Sequence, residues 1–404
     1  MKLRGISLVI KFALTLFIAR YMDFETLGLY GLISASSVML PGFLGLGLMY
    51  TLSRKAVMQR KKEIAGALHY YRHFLLLVYL AVLIGAIITG IVLNRPVLAV
   101  MIALIIFFEH MNLDIYQLLL NLSKPFAANF LHFIRTAGWM LIFMLLALVF
   151  PSLRTLEVLL AMWVIGSVIA LLGFFWDARG WLWLRKTENL SLKTWLTREF
   201  RESRTIYATG VAAAINQYAA HFLITAFLGL ELMGVYIYFI QVISAMANLI
   251  QTGVIQIARP KMIRAHRENN DAYGDIYSKC LKHAALTAVA MAIVAGPALY
   301  GITLYVVEKP LAIEWFPVFW PLLFAFMLGV FNEVNGLVFY SQHIDSLILK
   351  FTLIAAIGRT ICNAIFIPLL QLWGVTLSAI LVGIFILFLH FRVIKQLNLV
   401  PKTQ

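Results

Sequence analysis

Eight ionisable side chains stand inside long apolar runs: Lys11, Glu109, Asp114, His132, Arg135, His221, Glu333 and Arg359. A charge at membrane depth costs at least a few kcal/mol, so each needs a partner, a watery cavity or a route back to the surface. Arg135 and Arg359 are the most informative. Each is followed by threonine, and each is preceded 26 residues earlier by an acid, Glu109 or Glu333. The planar fork of arginine suits a phosphate or pyrophosphate. Two arrangements are open. The arginines line a cationic cleft for an anionic substrate, with Lys11 as a third candidate, or Glu109 with Arg135 and Glu333 with Arg359 form ion pairs inside each half. Glu109, Asp114 and Glu333 are also candidate proton or sodium sites for coupling. Asn216, Gln217 and Tyr218 cluster in "INQYAAH" and could meet sugar hydroxyls or a neighbouring helix. His132 and His221 read as polar contacts between helices.

The elements that carry these residues follow from composition. Apolar residues make up 62% of the 404 positions and charged residues 13%, and mean hydropathy is +0.90. A soluble chain of this size needs more charge to cover its surface. Twelve runs approach the length that crosses about 30 Å of hydrocarbon: 5–20, 27–52, 65–93, 97–119, 126–150, 156–176, 205–228, 232–258, 281–306, 316–340, 350–370 and 373–391. The basic start of the chain imitates a signal peptide but lacks a small-residue cleavage site, so it reads as the first span. With the amino terminus in the cytoplasm, about 26 of the 33 Lys and Arg fall on the cytoplasmic side. That asymmetry orients the chain with both termini inside. It also explains the net charge of +15 without nucleic acid.

The stretch 177–204 interleaves Trp181, Trp183 and Trp195 with basic residues. It reads as an interfacial, cytoplasmic linker between a six-span lobe at 1–176 and another at 205–404. The halves share landmarks. Glu25, Gly28 and Tyr30 of "FETLGLYG" recur as Glu231, Gly234 and Tyr236 of "LELMGVYI". "LSRK" ends span two and "ARPK" ends span eight, and the Glu/Arg sets recur in spans four and five and spans ten and eleven. An even number of spans per half implies parallel repeats about an axis along the membrane normal, facing each other across a central cleft. Pro41 and Gly42, with Gly45 and Gly47, interrupt span two as hinge candidates. Glu25 and Glu231 read as solvent-facing helix starts, and the paired glycines and tyrosines as close packing and interfacial anchors. Cys280 and Cys362 read as small apolar residues. No phosphate-binding loop or zinc-protease motif is present, no catalytic constellation can be assembled, and no cofactor is expected.

The opening "ISLVIKFALTLFIARYMDFETLGLYGLISA" resembles the start of Wzx-type polysaccharide exporters, members of the multidrug/oligosaccharidyl-lipid/polysaccharide (MOP) exporter superfamily. The likeness lies in Lys11-Phe12, Ala19-Arg20, the acidic turn Asp23 to Glu25, and Leu27-Gly28-Leu29-Tyr30, where leucine replaces the commoner phenylalanine at 27; Leu44 to Gly47 extends it. The resemblance implies an all-α, V-shaped fold of two six-helix lobes in a bacterial cytoplasmic membrane. It implies alternating-access flipping of an undecaprenyl-pyrophosphate-linked oligosaccharide, with a polymerase or glycosyltransferases as possible partners. The competing reading is an ion-coupled multidrug exporter of the same fold. A major-facilitator carrier is disfavoured because "LSRKAVMQRKKEI" lacks that family's loop motif.

Overall fold

The computed structural model describes residues 2–60, 63–183, 189–268 and 272–400, without the side chains of Lys2 and Arg4. Of the basic residues counted above, Lys61, Lys62, Arg185, Lys186 and Lys402 lie outside the described residues, as does 184–188 of the expected linker. The described chain is helical. In hydrocarbon no water completes backbone hydrogen bonds, and a helix satisfies them internally.

The helices in order are α1 (Lys2–Tyr21), α2 (Phe24–Leu44), α3 (Leu48–Ala56), α4 (Ile64–Ala67), α5 (His69–Val92), α6 (Pro96–Asn121), α7 (Pro125–Phe133), α8 (Trp139–Val149), α9 (Leu156–Asp177), α10 (Leu192–Ile250), α11 (Gln256–Arg267), α12 (Ala272–Ile302), α13 (Pro310–Glu314), α14 (Phe319–Ser341), α15 (Asp345–Leu370) and α16 (Leu372–Gln396). A π-helical turn, Ile134–Gly138, joins α7 to α8. α10 is broken at Gly229, whose φ of 86° lies outside helical space, so it holds two of the expected spans. Ten helical stretches among the described residues have the length and apolarity to cross a membrane. With α10 and α11 divided at Gly229, and α1 with its Lys11 and Arg20 counted, they correspond to the twelve expected runs.

Local sequence explains the turns. Pro96, Pro125 and Pro310 occupy first-turn positions, where a missing N–H costs nothing. Thr155 caps α9 by accepting from the Val158 N–H at 3.3 Å. Ser123 after α6 and His343 after α14 both take left-handed φ. In each case the next residue's N–H returns to a carbonyl five residues back, Lys124 to Leu119 and Ile344 to Phe339, both at 2.9 Å. The two halves thus close matching helices with the same motif.

The chain divides into two compact units, Met1–Phe17 with Ile33–Ala214 and Ile18–Leu32 with Ile215–Gln404. In the first, the aromatic stretch after α9 contributes to the core. Trp181 and Trp195 are buried in a cluster with Tyr70, Leu118 and Phe174. Trp195 stacks on Tyr70, whose hydroxyl donates to the Leu190 carbonyl at 2.7 Å. Lys55 joins Glu199 and Glu202 at 2.8 Å each. Burial opposes the Lys55 charge, but these two carboxylates outweigh it and hold its pKa above the usual lysine value.

In the second unit the repeated glycines meet. A β-carbon on Gly28 would strike the Leu230 carbonyl oxygen, and one on Gly234 would strike the Phe24 carbonyl oxygen. Glu25 and Glu231 are exposed, as expected of helix starts. Tyr236 is buried rather than interfacial. Cys280 is buried, Cys362 half-buried, and neither forms a disulfide.

Candidate functional site

The two arginines have different surroundings. In the first unit Arg135 is 3% exposed and Glu109 5%. Nη1 of Arg135 donates to Glu109 Oε2 at 2.6 Å, and Nη2 meets His132 Nδ1 at 3.0 Å. The other carboxylate oxygen, Oε1, accepts from Trp163 Nε1 at 2.9 Å and Ser167 Oγ at 3.3 Å. The Trp163 ring stacks on Trp139 with centroids 5.6 Å apart. Trp139 in turn donates to the Arg135 carbonyl at 2.8 Å. Both charges are neutralised and hydrogen-bonded, which is what makes burial tolerable. The space beside Arg135 amounts to about 10 Å³, room for little more than one water. Lys11, half-buried, lies near enough to feel both charges of this pair.

In the second unit Arg359 has no ion-pair partner among the described residues. It opens on a cavity of about 290 Å³, lined also by Asn216, Gln217, Tyr236, Glu333 and Asn363. The expected Glu333–Arg359 pair is therefore not formed; Glu333 is exposed on the cavity lining. Polar atoms in this cavity have no hydrogen-bond partner among the described residues: Arg359 Nε, Asn216 Oδ1, and both Oδ1 and Nδ2 of Asn363. Asn363 is only 1% exposed. Buried polar atoms usually find partners, so this group constitutes an unfilled hydrogen-bonding surface.

The repeat explains the difference. Glu109 to Glu333 and Arg135 to Arg359 are the same 224-residue step, and by that step Trp139 corresponds to Asn363. The loops before α9 and α16 differ in length, so those helices are aligned from their first residues, Leu156 and Leu372. Trp163 then corresponds to Ala379, and Ser167 to Gly383. The carbonyls of Ser167 and Gly383 each accept from an asparagine, Asn112 of α6 at 3.0 Å and Asn332 of α14 at 2.9 Å. Two tryptophans fill the first unit where Asn363 and Ala379 line the cavity of the second. Their indoles, and the donors that hold Glu109, have no counterpart there.

Of the other sequence candidates, Asn216 and Gln217 line this cavity. Tyr218 does not; its ring packs edge-on against His221. His221 also meets the Tyr236 ring edge-on, a contact between helix segments as expected. Asp114 is separate from both arginines and accepts from the Tyr71 hydroxyl at 2.6 Å. The interruption of span two falls at Gly45 to Gly47, the later of the residues named for it. Pro41 and Gly42 are inside α2, while Leu46 and Gly47 carry φ of 51° and 66° before α3. Asn363 and Tyr236 are the cavity residues that sequence reasoning missed. The Trp139/Asn363 pairing was visible only as a tryptophan replaced by a polar residue.

No family model matches the chain, and no curated relative is found. Solved structures do match. An inward-facing multidrug resistance MATE family transporter of the MOP superfamily superposes with a TM-score of 0.74 at 13% identity, over 98% of this chain and 96% of that one. The lipid II flippase MurJ, in an inward closed conformation, gives 0.74 at 14% identity, over 96% and 86%. An outward-facing MATE structure gives 0.60 at 14% identity, over 98% and 94%. At these identities the likeness is one of fold, and the chain has the all-helical fold of MOP-superfamily transporters.

Proposed function

We propose that the protein is a flippase that moves a lipid-linked oligosaccharide, carried on undecaprenyl pyrophosphate, across a bacterial cytoplasmic membrane by alternating access, with both termini on the cytoplasmic side. The observation that carries this reading is Arg359, a guanidinium with no ion-pair partner among the described residues, opening on a largely apolar cavity that Asn216, Gln217, Glu333 and Asn363 also line. An anionic headgroup group or an acidic sugar supplies the missing charge, and the amides of Asn216, Gln217 and Asn363 suit hydroxyls. The fold shared with a lipid II flippase supports it further. A polymerase or glycosyltransferases are the expected partners.

The test is flipping of a fluorescent pyrophosphate-linked oligosaccharide in proteoliposomes. Arg359→Glu should lower the rate at least tenfold, and Arg359→Lys less, because lysine keeps charge but loses the fork. Undiminished flipping in Arg359→Glu would overturn the reading. Efflux of a lipophilic cation by the wild type, with no flipping, would favour the multidrug-exporter alternative.

A further inference from the structure

The first unit contains a second buried polar cluster that the arginine sites do not use. On α6, His110 and Asp114 are one turn apart, with Nε2 to Oδ2 at 3.5 Å. Two tyrosines of α5 complete the group. Tyr79 Oη lies 2.8 Å from His110 Nδ1, and Tyr71 Oη lies 2.6 Å from Asp114 Oδ2 and 3.4 Å from His110 Nε2.

One proton arrangement satisfies all four groups with His110 neutral. Tyr79 donates to Nδ1, the Nε2–H faces Asp114 and the Tyr71 oxygen, and Tyr71 donates to the carboxylate. The net charge is then −1, and no cation forms an ion pair with Asp114 among the described residues. Charged groups on neighbouring elements are engaged elsewhere. Glu109 and Arg135 pair with each other, Lys55 of α3 binds Glu199 and Glu202, Arg54 lies over the Tyr50 ring, and Arg72 of α5 donates to the Trp183 carbonyl at 2.7 Å. A further proton has a place to go. If Nδ1 takes it, the Tyr79 hydroxyl can turn to accept, because its own proton finds the Ile106 carbonyl at 3.5 Å. The Asp114 side chain is 15% exposed, so the cluster is not sealed inside the protein.

The cluster also touches the break in span two. His110 presses so closely on Gly45 that a β-carbon there would lie 2.7 Å from Nε2. Gly45 opens the turn through Leu46 and Gly47. Its far side is held by Ser203, whose hydroxyl donates to the Leu46 carbonyl at 3.0 Å. Movement of the imidazole by a few tenths of an ångström must therefore be taken up by the turn.

We propose that Tyr71, Tyr79, His110 and Asp114 form a proton-binding site that takes one proton from water and thereby sets the geometry of the break at Gly45–Gly47. Uptake changes the cluster from −1 to neutral, as aspartic acid or as an imidazolium–carboxylate pair. The site rests on the first unit alone and is independent of which substrate is carried.

Hydrogen–deuterium exchange of the purified full-length protein tests this without any substrate. Amides from Phe43 to Leu48 are followed between about pH 5.5 and about pH 8, the range in which histidine commonly titrates, after correction for the intrinsic rate. The wild type should change protection there by about tenfold, and Asp114→Asn and His110→Gln should each flatten the profile. Glu333→Gln, in the other unit, should leave it unchanged. Tyr79→Phe removes a single hydroxyl and provides a variant with minimal disturbance of folding; it should move the midpoint by at least about half a pH unit. A flat wild-type profile, a wild-type profile in either Asp114→Asn or His110→Gln, or an unmoved midpoint in Tyr79→Phe would overturn the proposal.

Discussion

Arg135 and Arg359 occupy the same place in a repeat and have opposite environments. The first is enclosed by Glu109, His132 and two stacked tryptophans, and hardly a water's volume remains. The second lines about 290 Å³ of space with unpartnered amide atoms around it. Glutamate is retained in both halves, so the acid does not decide the outcome. The difference lies in the residues around the arginine, where Trp139 and Trp163 in one half correspond to Asn363 and Ala379 in the other. Two large side chains enclose one arginine in an ion pair; where they are missing the other borders open space.

The comparison breaks most readily at Glu109. Glu109→Gln leaves the Arg135 guanidinium buried without an anion, a loss of about 3–5 kcal/mol, which denaturant unfolding in detergent measures. An effect below about 1 kcal/mol would mean that the pair is not the closure described here. Next is Ala379→Trp, which restores the indole to the second unit. Filling open space should change stability by no more than about 1–2 kcal/mol while reducing flipping at least tenfold, so activity and stability separate. Retained flipping with a full-sized indole in place would argue against the cavity as a binding site. The smallest change is expected for Glu333→Gln. With no ion pair to lose, unfolding should move by under about 0.5 kcal/mol, in contrast to the equivalent substitution at Glu109.

Much of this arrangement was legible in the residues themselves. A charge inside an apolar run is conspicuous, and Asn216, Gln217, Glu333 and Arg359, named separately, converge on one cavity. The Glu109–Arg135 pair was one of the two arrangements that their spacing left open. The missing half of the argument concerned apolar positions. Trp163 reads as one more aromatic in a membrane helix, and nothing in Ala379 announces that it borders a void. A cavity is made by what neighbouring side chains fail to fill, and that depends on the register between helices distant in sequence. For the same reason Trp181 and Trp195, amphipathic rings among cations, gave no sign in the sequence of the cluster that buries them in the first unit. His110 escaped notice because its significance comes from Tyr79 and Gly45, on two other elements.

The meeting of Gly28 and Gly234 has one more consequence. Residue 28 approaches the carbonyl of residue 230, and residue 234 approaches that of residue 24; both partners are displaced by the same 206 positions. This reciprocity is the signature of an isologous contact, in which one patch serves as both faces of a two-fold interface. Had the two hairpins belonged to separate identical chains, a single methyl group added at that glycine would have obstructed the contact twice. In a fused chain each copy of the repeat is free to change by itself, as the enclosed and the open arginine have done.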